Sequence, residues 1–318
     1  MTAIPASKQT DIDPDVLAFV NRTSADSAAL AGKEPVSISR RREIAEQVRT
    51  PWARGGPDMT ATHMVNVGPR SVRARIHIPS AGAQRGTLIY LHGGGWMIFS
   101  IDTHDRLMRE YAERAGCAVI GLDYSLAPEH RFPTPLDDVD ACLDWLAEHG
   151  RAYGLNTAQV ALGGDSAGAN LALCATLRRR DRGQPLPCAL LLNYAALDLK
   201  PRASWHRYDG DPYMLGAAEM QDFWRGYLGT ATTDDPYARP LLADLAGLPA
   251  AHLCVAECDI LLDENIELRD RLQRAGSEVS CKIYPGATHS FLEAARSSKL
   301  ADRAIGDAAT WLAKQLEA

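Results

Sequence analysis

Gly164-Asp165-Ser166-Ala167-Gly168 sets a serine between two glycines. This is the G-x-S-x-G pattern in which a strand turns sharply into a helix and presents a hydroxyl nucleophile at the sheet edge. So short a pattern also arises by chance, and its context is what makes it specific. Val160-Ala161-Leu162-Gly163 before it reads as a short apolar strand, and Ala167 to Leu177 after it as an almost wholly apolar helix. A serine hydroxyl is a weak nucleophile until a neighbouring base takes its proton, and the base needs a carboxylate to hold its tautomer and stabilise the imidazolium. Of the 9 histidines, His289 in Gly286-Ala287-Thr288-His289-Ser290-Phe291 is the best placed, in a loop after the last predicted strand and after the serine in chain order. His104, His130, His149 and His206 fall in helices or polar loops without that context. For the acid we expect Asp259, which ends the apolar run His252-Leu253-Cys254-Val255-Ala256-Glu257-Cys258. Asp263 reads instead as the N-cap of the helix that follows, and Asp198, after the preceding strand, is a further rival.

A second glycine-rich stretch, His92-Gly93-Gly94-Gly95-Trp96, follows the apolar run Thr87-Leu88-Ile89-Tyr90-Leu91. Without Cβ atoms, successive glycines let backbone N–H groups approach a substrate oxygen and meet the negative charge that develops there. The N–H of Ala167, beside the serine, should supply another donor, and His92 reads as scaffold for the loop. A dinucleotide cradle fits poorly, because the G-x-G-x-x-G spacing is absent and the triplet runs into Trp96-Met97-Ile98-Phe99. Together these groups have the makings of an acyl-transfer site.

The elements that must position them alternate from about residue 71 onward. Predicted strands at Val72 to Ile78, Gly86 to Leu91, Ala118 to Leu122, Val160 to Gly163, Ala189 to Asn193, His252 to Ala256 and Glu278 to Tyr284 are mostly near-continuous apolar runs, as strands buried on both faces require. Between them, Thr103 to Ala115, Pro133 to His149, Ser166 to Arg180 and Asp263 to Ala275 carry helical spacing. The expectation is a single α/β domain over residues 1–318 with a mostly parallel central sheet. Residues 1 to about 50 and about 200 to 235 supply no strand; we expect them to form one helical cap over the strand ends.

Composition narrows the partners. The chain carries 34 Lys+Arg against 40 Asp+Glu, a formal charge of −6, with no long basic block to track a phosphate backbone, so nucleic acid is not expected. Ser39-Arg40-Arg41-Arg42 and Arg178-Arg179-Arg180 read as solvated helix faces. No apolar run is long enough to span a membrane, no stretch has the faces of an interfacial helix, and Met1-Thr2-Ala3-Ile4-Pro5 lacks the order of a secretory signal. A cytoplasmic location without stable membrane association is therefore expected. The 7 cysteines are scattered through apolar runs and read as reduced thiols, and none is set as a zinc site would require, so no metal is expected. The sequence is compatible with a homo-oligomer.

With Tyr124-Ser125-Leu126-Ala127-Pro128-Glu129-His130-Arg131-Phe132-Pro133 added to the glycine triplet and to Gly164-Asp165-Ser166-Ala167-Gly168-Ala169-Asn170, the chain resembles the bacterial hormone-sensitive-lipase-like esterases over about residues 85 to 295. The resemblance implies an α/β-hydrolase fold with a helical cap built partly from the N-terminus, and hydrolysis of short-chain esters, small-molecule substrates, without a cofactor. It implies an oxyanion hole from Gly94, Gly95 and Ala167, and it maps the acid motif D-P-L-x-D-E onto Asp259-Ile260-Leu261-Leu262-Asp263-Glu264, whose first aspartate is the triad member. Ile260 stands where the pattern has proline, and Ser290 where glycine is frequent; neither change removes a reacting group. Glu129 and His130 read as structural. Two other readings use the same fold: an amidase or formamidase with the same triad, and a non-catalytic small-molecule receptor, which the plant gibberellin receptors resemble and which lacks the working histidine.

Overall fold

A strand with apolar side chains on both faces must be covered by helices on both sides. In the structure, a computed structural model that describes residues 11–32, 35–230 and 234–317, five such strands form the centre of the sheet. They are β3 (Thr87–Leu91), β4 (Ala118–Leu122), β5 (Val160–Asp165), β6 (Ala189–Asn193) and β7 (Ala250–Cys258). With β1 (Ala61–Val67), β2 (Val72–Ile78) and β8 (Val279–Thr288) they make an eight-stranded sheet in the order β1-β2-β4-β3-β5-β6-β7-β8. Pairing is parallel from β4 through β8, while β1 with β2 and β2 with β4 are antiparallel.

The helices are α1 (Pro14–Ala31), α2 (Ile38–Ala53), α3 (Asp105–Ala115), α4 (Thr134–His149), α5 (Ala167–Asp181), α6 (Ala203–Arg207), α7 (Ala217–Leu228), α8 (Leu262–Arg274) and α9 (Lys299–Gln315). Helix α5 is buried along almost its whole length, from Ala167 to Arg179, which is why it reads as apolar on every face. Helix α1 starts at Asp13, whose Oδ1 accepts from the N–H groups of Asp15 and Val16, and is seated on the far end of the chain by a bond from Asp13 N to Gly286 O of 2.9 Å.

Several expectations need correcting. β1 was not foreseen: its residues alternate half-buried and exposed at the sheet edge, and Met64 faces solvent. Helix α9 was not foreseen either; its buried stripe is built on Leu300, Ile305 and Leu312 but filled in by small alanines that give little contrast. Asp263 is not an N-cap, since α8 begins at Leu262 and places it inside the first turn, where Oδ2 accepts from Ser204 N at 2.8 Å. The arginine runs are not solvated faces. The Arg178 side chain is only 4% exposed and meets Asp137 and Asp140 of α4, each at 2.8 Å, while Arg179 reaches Asp144 at 3.1 Å. An acidic row on α4 thus fastens the end of α5. Arg41 of α2 pairs with Glu219 and Asp222 of α7 at 2.7 and 3.0 Å, and Arg42 with Glu129 at 2.6 Å.

No described helix is long and apolar enough to cross a membrane. All 7 cysteines are free thiols. Of the segments expected to form the cap, residues 1–10, 33–34 and 231–233 lie outside the described residues.

Candidate active site

The turn from β5 into α5 requires its glycines. A Cβ on Gly164 would lie 2.3 Å from Leu91 O, and one on Gly168 would lie 1.9 Å from the same oxygen, so β3 can pass beside the turn only if both side chains are absent. Ser166 sits at the apex with φ +53°, held by bonds from its N–H to Asn193 O at 2.9 Å and from Ala196 N to its carbonyl at 3.2 Å.

His289 lies beyond the end of β8. Its Nε2 is 3.0 Å from Ser166 Oγ and its Nδ1 2.7 Å from Asp259 Oδ2. Asp259 follows directly on β7 and its other oxygen accepts from Leu261 N at 2.9 Å. All three side chains are buried. Burial pulls the His289 imidazole down, but the Asp259 carboxylate, with the charges of Asp165 and Glu219 behind it, more than offsets this and leaves the group above the ordinary histidine value of 6.5. The rivals are engaged elsewhere: Asp198 accepts from Arg239 at 2.6 Å and from Arg202 at 3.2 Å.

The glycine loop leaves β3 and turns back on itself, with Met97 N and Ile98 N both bonded to Gly94 O at 3.0 Å. Gly94 and Gly95 take φ +110° and +58°, conformations that L residues rarely adopt. Trp96 anchors the loop by stacking on Tyr227 of α7 with ring centroids 4.4 Å apart. His92 is scaffold: its Nδ1 is bonded to Gly93 O at 2.7 Å, its ring stacks on Tyr124, and burial lowers it to about 4, so that it stays neutral. Gly94, Gly95, Ser166 and His289 all line one cavity of about 470 Å³, whose other walls are α1, α2 and residues 214–223. Ala167 is the first residue of α5, so its N–H has no acceptor within the helix. Among the described residues no group of three or more His, Cys, Asp or Glu side chains is arranged to hold a metal ion.

A strand-end serine, an aspartate and a histidine in this chain order, beside a glycine loop, place the chain among known proteins. Residues 88–293 match the model of a family of alpha/beta hydrolase fold. An acetyl esterase of Salmonella typhi is 33% identical over 273 residues, which are 84% of either chain. The chain belongs to the bacterial hormone-sensitive-lipase-like α/β hydrolases. It is a carboxylesterase. The crystal structure of an esterase from the bacterial hormone-sensitive lipase family covers 94% of this chain and 98% of its own at 30% identity and a TM-score of 0.83. A thermophilic and thermostable carboxylesterase cloned from a metagenomic library covers 89% and 99% at 31% identity, with a TM-score of 0.84.

The sequence reading passed over several residues that this esterase uses to hold its site. Asp165 is fully buried, and its oxygens meet the Tyr90 hydroxyl at 2.9 Å, Gly93 N at 3.1 Å and His104 Nε2 at 3.4 Å. Arg49 of α2 is sandwiched between Phe19 and Phe99 and lies 3.3 Å from Glu293, just after the histidine loop. A carboxylate in the middle of an apolar run is the one sequence signal that could have drawn notice to Asp165, because a buried charge demands partners.

Proposed function

We propose that this carboxylesterase cleaves short-chain acyl esters through an acyl-enzyme on Ser166, with His289 as general base and Asp259 as its orienting acid. The reading is carried by the unbroken chain from Asp259 through His289 to Ser166, set in the same cavity as Gly94 and Gly95. His289 Nε2 takes the serine proton as Oγ attacks the ester carbonyl, and the N–H groups of Gly94, Gly95 and Ala167 receive the oxyanion. Collapse of the tetrahedral intermediate expels the alcohol, which leaves with the proton from His289. Water then attacks the acyl-enzyme by the same route and releases the carboxylic acid and the free serine.

The name of the Salmonella typhi relative supports acetyl among the short acyl groups. Helices α1 and α2, with residues 203–228, serve as the cap, since α1, α2 and part of that stretch line the cavity that holds Ser166 and His289. The test combines labelling and turnover. A fluorophosphonate should modify the peptide that contains Ser166, and hydrolysis of p-nitrophenyl acetate and butyrate, with chelator present, should exceed that of long-chain esters. Labelling at another residue, or a preference for long chains, would overturn the assignment.

The base must be neutral to accept the serine proton, and its pKa is raised. Activity should therefore be lost as pH falls, with the midpoint of the acid limb of kcat/KM above 6.5. A pH-rate profile checks this, and a midpoint below that value would contradict it.

Gly94→Ala should damage the oxyanion loop specifically. The new Cβ would lie 2.2 Å from Ile98 O at a backbone φ of +110°, so the loop must shift. Loss of one oxyanion donor costs about 10²- to 10³-fold in kcat, and a drop of that order with little change in KM is the expected steady-state result.

A further inference from the structure

We propose that His104 is a positioning residue for ester hydrolysis: a buried imidazolium that acts through Asp165 to hold Gly93, and with it the glycine loop, in register with Ser166. The inference deepens the proposed mechanism and rests on the glycine loop being the oxyanion hole.

Asp165 directly precedes the nucleophile and is pressed against the glycine loop. A Cβ on Gly93 would lie 2.3 Å from Asp165 Oδ2, and Gly93 N donates to Oδ1 at 3.1 Å. The carboxylate therefore spans the gap between the serine's strand and the residue that leads into Gly94 and Gly95. His104 Nε2 stands 3.4 Å from both oxygens of that carboxylate.

The hydrogen bonds to the ring admit the imidazolium. His104 Nδ1 is 2.9 Å from Thr103 Oγ1. That hydroxyl has one proton, which it gives to Ser100 O at 2.8 Å, while it accepts from Ser100 N at 3.1 Å. With the hydroxyl proton donated to Ser100 O, Nδ1 donates to the hydroxyl; turned to Nδ1 instead, that proton leaves Ser100 O and the ring is neutral. Nε2 faces an ionised carboxylate, which only accepts. The first arrangement puts protons on both ring nitrogens, the imidazolium, and the surrounding charges favour it.

The charges around the ring agree. Asp165 faces it from β5, Glu293 from the turn after His289, and Arg49 and Glu46 from α2; the Tyr90 hydroxyl lies behind Asp165, and the neutral His92 ring is 5.7 Å away. With His104 charged, the buried set of Asp165, Glu293, Arg49 and His104 is neutral. With it uncharged, an anion is left without compensation in the interior. Burial lowers His104, yet the contact with Asp165 and the charge of Glu293 more than offset this, and the net direction is upward from 6.5. A histidine raised in the folded state stabilises the fold fully below its unfolded pKa, and that contribution is lost as pH rises through the folded value.

The test has a structural arm and a kinetic arm. In ¹³C-histidine-labelled protein, the ring resonance absent from His104→Gln should titrate above 6.5. The kcat profile between pH 5 and 10 should show a second, descending limb at the same pH, with KM little changed. Glutamine keeps a donor toward Asp165 without titrating, so His104→Gln should retain activity at neutral pH and lose the descending limb. His104→Leu should lower kcat about 10- to 100-fold, the cost of misplacing a catalytic donor by around an ångström. A resonance titrating at or below 6.5, or a descending limb that persists in His104→Gln, would overturn the proposal. Should the leucine variant fail to fold, the resonance and the glutamine profile still decide. Ser166 labelling is independent of both arms, so failure here and failure of the esterase mechanism are distinguishable.

Discussion

Ser166→Ala is expected to lower kcat for p-nitrophenyl acetate by on the order of 10⁶-fold, as loss of the nucleophile does in serine hydrolases of this design. The fold should be untouched. The substitution removes only Oγ, whose partner is His289 at 3.0 Å, while the bonds that hold the apex run through the Ser166 backbone to Asn193 and Ala196. The positive φ at this position strains serine and alanine alike, so the melting temperature should stay within a few degrees. Steady-state rates and a thermal melt measured on one preparation decide the matter. Residual turnover above about 1% of wild type would mean that another group performs the attack.

Asp259→Asn should cost about 10⁴-fold in kcat, because it preserves shape and reverses the logic of the hydrogen bonds. The native carboxylate accepts twice, from Leu261 N at 2.9 Å and from His289 Nδ1 at 2.7 Å. An asparagine has one oxygen. If that oxygen serves Leu261, the amide donates toward Nδ1, selects the tautomer with the proton on Nε2, and leaves nothing to receive the serine proton. The same change removes the carboxylate that raises His289, so the acid limb of residual activity should move to lower pH. Asp263→Asn is the control. It touches Ser204 N rather than the histidine, and kcat should fall no more than a few-fold. Equal losses in the two variants would refute the assignment of the acid.

Much of the frame was legible because the central strands are apolar on both faces. Leu88, Ile120, Leu162, Leu191 and Leu253 are wholly buried, and a run of such residues bounded by turns has few other readings. β1 was illegible because an edge strand hides only one side. Its His63 and Asn66 look like loop residues until β2 is laid beside them in register. Ser166 and His289 were readable because glycine sterics and chain order constrain them locally. The network around Asp165 was not, since Tyr90, Gly93 and His104 come from β3, the loop after it and the start of α3, and their convergence exists only in three dimensions. Arg178 and Arg179 were misread for the same reason. A run of arginines at a helix end signals solvent unless one knows that another helix sets an acidic row against it.

The bond between Asp13 N and Gly286 O joins two ends of a long wait. Helix α1 leaves the ribosome long before Gly286, part of its seat, is made. At about 5–20 residues per second the delay is on the order of tens of seconds. During that time Phe19, buried in the finished protein, has Trp52 of α2 as its early partner, with ring centroids 4.7 Å apart. The bond that seats α1 beside the cavity and His289, the base of the proposed triad, both wait for β8, so the wall and the last catalytic group are completed together.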